Sequence, residues 1–260
     1  MALPRSDSVE LSVVIPAHNS ARVIESTITA FADRLSTRHA EIIVVENGSS
    51  DETAAICARL VEDWSHPSVS LTALTSDKGM GNALRVGVSD SRGRQVLLTA
   101  DDLPFGFGDL DAAEAYVDRT GSTPLVAIGS KAHPGSDVQR GALRSLMTFG
   151  FTSLRRIVLG TRTKDPQGTF LVEGALLRSL APHLSEPGFL FTTELDYAVE
   201  LAGISPVELP VQLSASHRAQ PSRVALSDVV NMARGLLTLR HRKLELRRAA
   251  TAGLSSSARS

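Results

Sequence analysis

The chain has 260 residues, 42% hydrophobic and 21% charged, with a net charge of −1. This is an ordinary globular composition, long enough for one large domain or one domain and a tail. The near-neutral balance excludes a global pull toward nucleic acid or membrane, so any such attraction must come from local patches.

The first ten residues, MALPRSDSVE, hold no apolar run of signal-peptide length and are expected to be flexible. No uncharged apolar run of about 18 residues occurs anywhere along the chain. LSVVIP (11–16) is a short β-branched run ended by Pro16, and ARVIESTITAFADRLS (21–36) has helical spacing with Asn19 or Ser20 as N-cap. EIIVVE (41–46) reads as a second buried strand. The segment after it opens with a glycine turn and a helix, for which Ser49 and Glu52 have capping-box spacing. Within that helix lies Cys57, the one cysteine. It excludes an internal disulfide or a cysteine metal cluster, reads as a small core residue, and suits a reducing, cytoplasmic compartment.

VSLTALT (69–75), GNALRVGVSDS (81–91) and QVLLTA (95–100) then give strand, helix and strand. Such alternation, with near-continuous apolar strands, predicts an α/β fold around a parallel sheet covered on both faces. In these sheets ligands bind beyond the carboxyl ends of the strands. Those ends carry PAHNS, ENGSSD, SDKGMG and ADDLPFG, all four polar and marked by glycine or proline. The second half is less regular: a strand at 124–131, an amphipathic helix over 141–160, strand then helix over 169–184, a helix at 192–203 and an edge strand with Pro210 at 205–213.

LLTADDLP (97–104) ends a strand on two adjacent carboxylates, Asp101 and Asp102. Two like charges there are either solvated in a turn or share a cation. His133, His183 and His217 lack metal-ligand spacing and read as surface or core histidines.

In order, VVIPAHNSARVIESTI, IIVVENGSSDET, KGMGNALRVG and LLTADDLPFG resemble family 2 glycosyltransferases. IGSK, KDPQGTFLV, FLFTTELDYAVELAG and PVELPVQL are similar to their polyprenyl- or dolichyl-phosphate hexose synthase branch. The resemblance implies a GT-A fold over residues 11–223, a Rossmann-like, mostly parallel central sheet flanked by helices. Residues 224–250 would form a basic amphipathic helix and 251–260 a disordered tail.

It further implies a nucleotide-sugar donor, a UDP- or GDP-hexose, a divalent cation, Mg2+ or Mn2+, and inversion at the anomeric carbon. Pro16, Ala17 and His18 would line the base, His18 standing where tyrosine is usual and Ser20 where glutamate is usual. Glu46 and Asn47 would replace a pair of aspartates, and Asp77 and Gly79 would belong to the donor loop, in which Met80 replaces a lysine. In the metal motif Ala100 keeps the middle place and Thr99 replaces the first aspartate. Asp101 is then the ligand, or Asp102 under the other alignment. Lys131 replaces an arginine and would join the nucleotide-sugar site, it or Lys78 supplying charge for the donor phosphates. Asp165 and Gln167, which match an acceptor-side pattern, and Glu194, which matches a helical acidic residue, are the candidate catalytic residues.

A polyprenyl phosphate acceptor is already an anion and needs cationic positioning more than a base. Arg140, Arg144, Lys164, Arg218 and Arg223 are the candidates. The stretch 141–160 and the helix ending in Arg240, Arg242, Lys243, Arg247 and Arg248 combine apolar stripes with cations. They read either as peripheral docking at the cytoplasmic face of an anionic membrane, or as core helices or a homo-oligomer contact. Two alternatives stay open: a soluble acceptor, and a catalytically silent nucleotide-sugar-binding module. No nucleic-acid partner is expected.

Overall fold

The computed structural model describes residues 8–136, 142–214 and 226–257, with backbone alone at 142–149, 226–233 and 256–257. The elements alternate as the apolar periodicity demands: β1 (Leu11–Ala17), α1 (Ile24–Arg34), β2 (Ala40–Glu46), α2 (Thr53–Glu62), β3 (Val69–Thr75), α3 (Met80–Asp90), β4 (Gln95–Leu98), α4 (Gly108–Thr120), β5 (Val126–Ser130) and α5 (Ala142–Leu159). There follow β6 (Thr169–Glu173), α6 (Gly174–Leu180) with a 3-10 turn at Ala181–His183, α7 (Phe191–Leu201), β7 (Val207–Pro210), α8 (Leu226–His241) and α9 (Lys243–Ser257).

One sheet takes the order β3-β2-β1-β4-β6-β5-β7. Every neighbouring pair is parallel except those of β6, which runs against β4 and β5. β1 is buried along its whole length because it lies inside the sheet, between β2 and β4, with helices on both faces. β3 alternates at its start because it is an edge. Alternate strand residues feed two cores. Val14, Leu98, Ile128 and Phe170 meet α3, α6, α7, α8 and α9 on one face. Val13, Ile42, Leu97 and Leu171 meet α1, α2 and α4 on the other, where burial pushes the Cys57 thiol up to about 11.

Local details depart from the sequence reading. α2 is not started by a Ser49–Glu52 box: the Asp51 carboxylate accepts from the Thr53 amide (3.0 Å) and hydroxyl (2.5 Å). The Glu46 carboxylate instead draws in the Ser49 amide. At α1 the carbonyl of Ser20, not its side chain, receives the Val23 and Ile24 amides, both at 2.9 Å. The C-terminal segment is two helices meeting at Arg242, and it stays helical through Ser257, so 251–257 is not a disordered tail. Leu246, Ala249 and Ala250 form the apolar face that orders it.

Candidate active site

Chain order reverses at β1, which leads to β2 on one side and neighbours β4 on the other. Such a switch point opens a crevice at the carboxyl ends of the strands. Here β1 and β4 pair from Leu11–Gln95 to Val14–Leu98 and then part, the Thr99 amide making a last bond to the Val14 carbonyl (3.2 Å). Asp101 enters the gap. Its carboxylate accepts from the Ser20 hydroxyl, and its carbonyl accepts from the Thr27 hydroxyl at 2.8 Å. Ser20 in turn accepts from the His18 amide (3.0 Å), and its own amide donates to the Thr53 hydroxyl (2.7 Å). Asp101 is 7% exposed, whereas Asp102 is half-buried at the rim beside Ala100. The hydroxyl that replaces an expected glutamate therefore orients the aspartate across the gap.

On the nucleotide side Asn47 ties three strand ends together. Its amide and its Nδ2 both donate to the Ala17 carbonyl (3.0 and 2.9 Å), and its Oδ1 accepts from the Gly79 amide (3.2 Å). The His18 imidazole meets the Asn47 carbonyl at 3.1 Å, which requires a proton on Nδ1. Pro16 lies opposite Val45, past the last β1–β4 pair, where its missing amide breaks no ladder bond to β4. Asp77 and Lys78 are exposed, while Met80 packs against the larger core rather than facing the loop. Gly79 holds φ at 129°. The amides of Gly81 and Asn82 at the start of α3 donate to the Pro187 carbonyl (2.8 and 3.2 Å). A side chain at Gly81 would strike the Glu186 carbonyl, so this close approach requires glycine.

Lys131, Asp165 and Gln167 come together at the other flank. The Asp165 carboxylate accepts the Lys131 amide (2.9 Å) and lies 3.8 Å from its ammonium. The ammonium also reaches the Gln167 carbonyl (3.4 Å) and sits 5.8 Å from the Phe105 ring centre. Phe105 belongs to the loop that follows Asp101, so this cluster adjoins the carboxylate pair. Glu194 is elsewhere occupied: it is fully buried on α7 and accepts from the Ser185 and Glu186 amides (2.9 and 2.8 Å) and from Arg242. Burial, with the Glu194 charge second, raises the pKa of its neighbour Glu186. Arg140, Arg218 and Arg223 fall outside the described residues, as does the side chain of Arg144. The Lys164 amide is bound by Glu208 (2.6 Å).

Sequence reasoning missed the groups that hold the Asp165 segment. Arg155 of α5 is fully buried and reaches the Thr161 hydroxyl (2.7 Å), the Thr163 carbonyl and Asp196 of α7 (3.2 Å). Glu200 accepts the Arg162 and Thr163 amides, each at 2.8 Å. Glu208 links Lys164 to the Ser130 hydroxyl (3.1 Å) at the end of β5. Burial pushes the Asp196 carboxyl up to about 7 and draws the Arg155 guanidinium down, each partner opposing its own shift. The one signal in the sequence was an arginine on the apolar stripe of 141–160; it announced a buried partner without naming it.

No group of three or more His, Cys, Asp or Glu side chains placed to hold a metal occurs among the described residues. Asp101 and Asp102 fit the other kind of site, in which Mg2+ keeps one or two protein carboxylates and takes its remaining ligands from substrate phosphates and water.

The sequence and the fold were compared with known proteins. The model of glycosyl transferase family 2 matches residues 12–178. The dolichyl-phosphate beta-glucosyltransferase of Saccharomyces cerevisiae is 28% identical over 254 residues, covering 90% of this chain and 75% of that one. Its namesake from Homo sapiens is 27% identical over 221 residues, covering 79% and 68%. Among solved structures, glucosyl-3-phosphoglycerate synthase from Mycobacterium tuberculosis with uridine-diphosphate superposes with a TM-score of 0.63 at 20% identity, covering 90% of this chain and 80% of that one. The same enzyme has been crystallised with Mn2+ and UDP-glucose.

Proposed function

The chain belongs to glycosyl transferase family 2, and from that premise we propose that it moves a glucosyl group from UDP-glucose to a polyprenyl phosphate of the dolichyl type, at the cytoplasmic face of a membrane. Donor and acceptor follow its relatives, which are named for transfer to dolichyl phosphate, and the same-fold enzyme that binds UDP-glucose. The observation that carries the reading is Asp101, held by Ser20 and Thr27 in the gap between β1 and β4. In such sheets ligands bind beyond the carboxyl ends of the strands, which supports a donor diphosphate beside this carboxylate.

In the reaction the bond from the anomeric carbon to the donor diphosphate breaks. A bond from that carbon to an acceptor phosphate oxygen forms on the opposite face, and uridine diphosphate leaves with the electron pair. Bound Mg2+ or Mn2+ would supply charge for that leaving group. Asp101, with Asp102 beside it, would hold the metal. The acceptor oxygen is already anionic, so no side chain has to abstract a proton. Lys131, fixed by Asp165 beside Phe105, supplies a cation for the acceptor phosphate. Glu194, with both oxygens engaged by its neighbours, positions the 183–190 loop and touches no substrate.

The test is transfer of labelled glucose from UDP-glucose to dolichyl phosphate with Mn2+, Mg2+ or a chelator, beside GDP-sugars and soluble phosphate monoesters. Metal-dependent appearance of lipid-linked glucose is expected. Transfer only to a soluble phosphate would overturn the acceptor, and transfer unaffected by the chelator would overturn the metal site.

A further inference from the structure

α8 and α9 follow one another across a break at Arg242, whose amide closes α8 on the Thr238 carbonyl (3.1 Å) and whose carbonyl opens α9 by accepting the Leu246 amide (3.0 Å). The inner face, Leu236, Leu239, Leu246, Ala249 and Ala250, is buried in the larger core. Away from that face Leu237 of α8 and Leu244 of α9 are 54% and 67% exposed. Exposed Arg240 and Arg247 flank them on one side, and exposed His241 and Arg248 on the other. Glu245, the one acidic residue between 234 and 248, is turned aside into an ion pair with Arg242 (2.8 Å).

The surface continues onto α5. Arg240 donates to the Val158 carbonyl (2.6 Å), which sets α8 beside the stretch of α5 that carries Ile157, 78% exposed, and Leu154, 38% exposed. Arg156, between the two in the chain, is also exposed. Single exposed leucines are common, but isoleucine and leucines aligned on neighbouring elements with cations on both flanks make a patch. The protein as a whole carries only −1, so this is a local concentration of positive charge.

We propose that the outer face of α8–α9, with Leu154 and Ile157 of α5, docks on an anionic lipid surface. Leu237, Leu244 and Ile157 enter the boundary between head groups and chains, while the arginines spread their stems over apolar surface and hold the head-group charges. A second copy fits less well, because two-fold pairing of this face would set arginine against arginine. The docking does not depend on the chemistry proposed above. It has a consequence for it, however: α5 runs through Gly160 into the segment that carries Asp165 and Gln167, so the bound surface lies next to the acceptor side of the site.

The test is flotation of the full chain with phosphatidylcholine vesicles, with and without phosphatidylglycerol, without sugar donor. Binding to the anionic vesicles that weakens as salt rises is expected. Arg247→Gln/Arg248→Gln lowers the partition coefficient roughly 25-fold, at about fivefold per charge. Ile157→Ser/Leu244→Ser lowers it by roughly tenfold or more, with the melting temperature unchanged because both side chains are exposed. Absence of binding to anionic vesicles, or binding that survives both sets of changes, overturns the proposal. So does a dimer that Ile157→Ser/Leu244→Ser converts to monomer without vesicle binding, since the face is then an interface between copies. Vesicle binding and glucosyl transfer are read separately, so the failure of one leaves the other standing.

Discussion

At the scale of single residues, adjacent carboxylates receive different environments. Asp101 is turned inward and oriented by Ser20, whereas Asp102 stands at the rim. We therefore expect Asp101→Asn to abolish the metal-dependent part of uridine diphosphate affinity, measured by calorimetry with and without Mn2+, and Asp102→Asn to weaken it less. Ser20→Ala keeps the ligand but frees its orientation, which lowers metal affinity about 10- to 100-fold. Equal effects at Asp101 and Asp102 would mean that the cation sits between them. The pair itself was legible in TADDLP, but its division of labour was not, because it depends on a hydroxyl 81 positions away in the chain.

The buried Arg155–Asp196 pair yields a second expectation. Arg155→Met or Asp196→Leu alone leaves a charge buried without its partner and lowers stability by about 3–5 kcal/mol, while the double replacement recovers most of the loss. Denaturant unfolding of the four variants measures it, and additive losses would deny the coupling. The pH dependence has a definite sign. With its carboxyl at about 7 in the fold against an ordinary 3.8, folded Asp196 keeps a proton that the unfolded chain has already released between those values. Its contribution is thus full below the ordinary value and lost as pH rises through about 7. Relative to Asp196→Asn, the wild-type chain should be favoured most near the acid end of that window and should lose ground toward neutrality.

At the scale of elements, the 183–190 loop depends on its neighbours rather than on its own sequence. Its Pro187 carbonyl caps α3, and Arg242 clamps it through the His183 carbonyl (2.6 Å) and Glu194. Arg242→Ala leaves the Glu194 carboxylate fully buried without its cation. We expect a loss of about 2–4 kcal/mol and faster amide exchange at Gly81 and Asn82 together with residues 183–190. Unchanged exchange there would show that the clamp holds nothing. The helices were legible where apolar spacing is strong, as in α1 and α3. Their ends were less so: α2 is capped by Asp51 because Ser49 is drawn toward Glu46, a contact made by the turn after β2. The helical ending at 251–257 was missed because a stretch rich in serine, alanine and glycine looks unable to bury anything. It becomes helical because small side chains allow it to lie close on α6, where a Cβ on Gly253 would touch Ser179.

For the whole molecule, the sheet order brings residues remote in the chain to one crevice: His18 and Ser20 after β1, Asn47 after β2, Gly79 before α3 and Asp101 after β4. Parallel alternation and polar strand ends are written in local spacing, since a strand buried on both faces must be apolar throughout and its ends must carry whatever the site needs. The sequence by itself thus determined the α/β class and, through the order of its motifs, the family, and it pointed to the strand-end loops and the carboxylate pair of the candidate site. Only the tertiary structure decided that β6 runs against its neighbours, that Ser20 orients Asp101, that Arg155 and Glu200 hold the Asp165 segment, and that Glu194 serves Arg242. The reason is physical. Spacing along a chain records which face of an element is apolar, but a buried charge or hydroxyl takes the partner that packing brings to it.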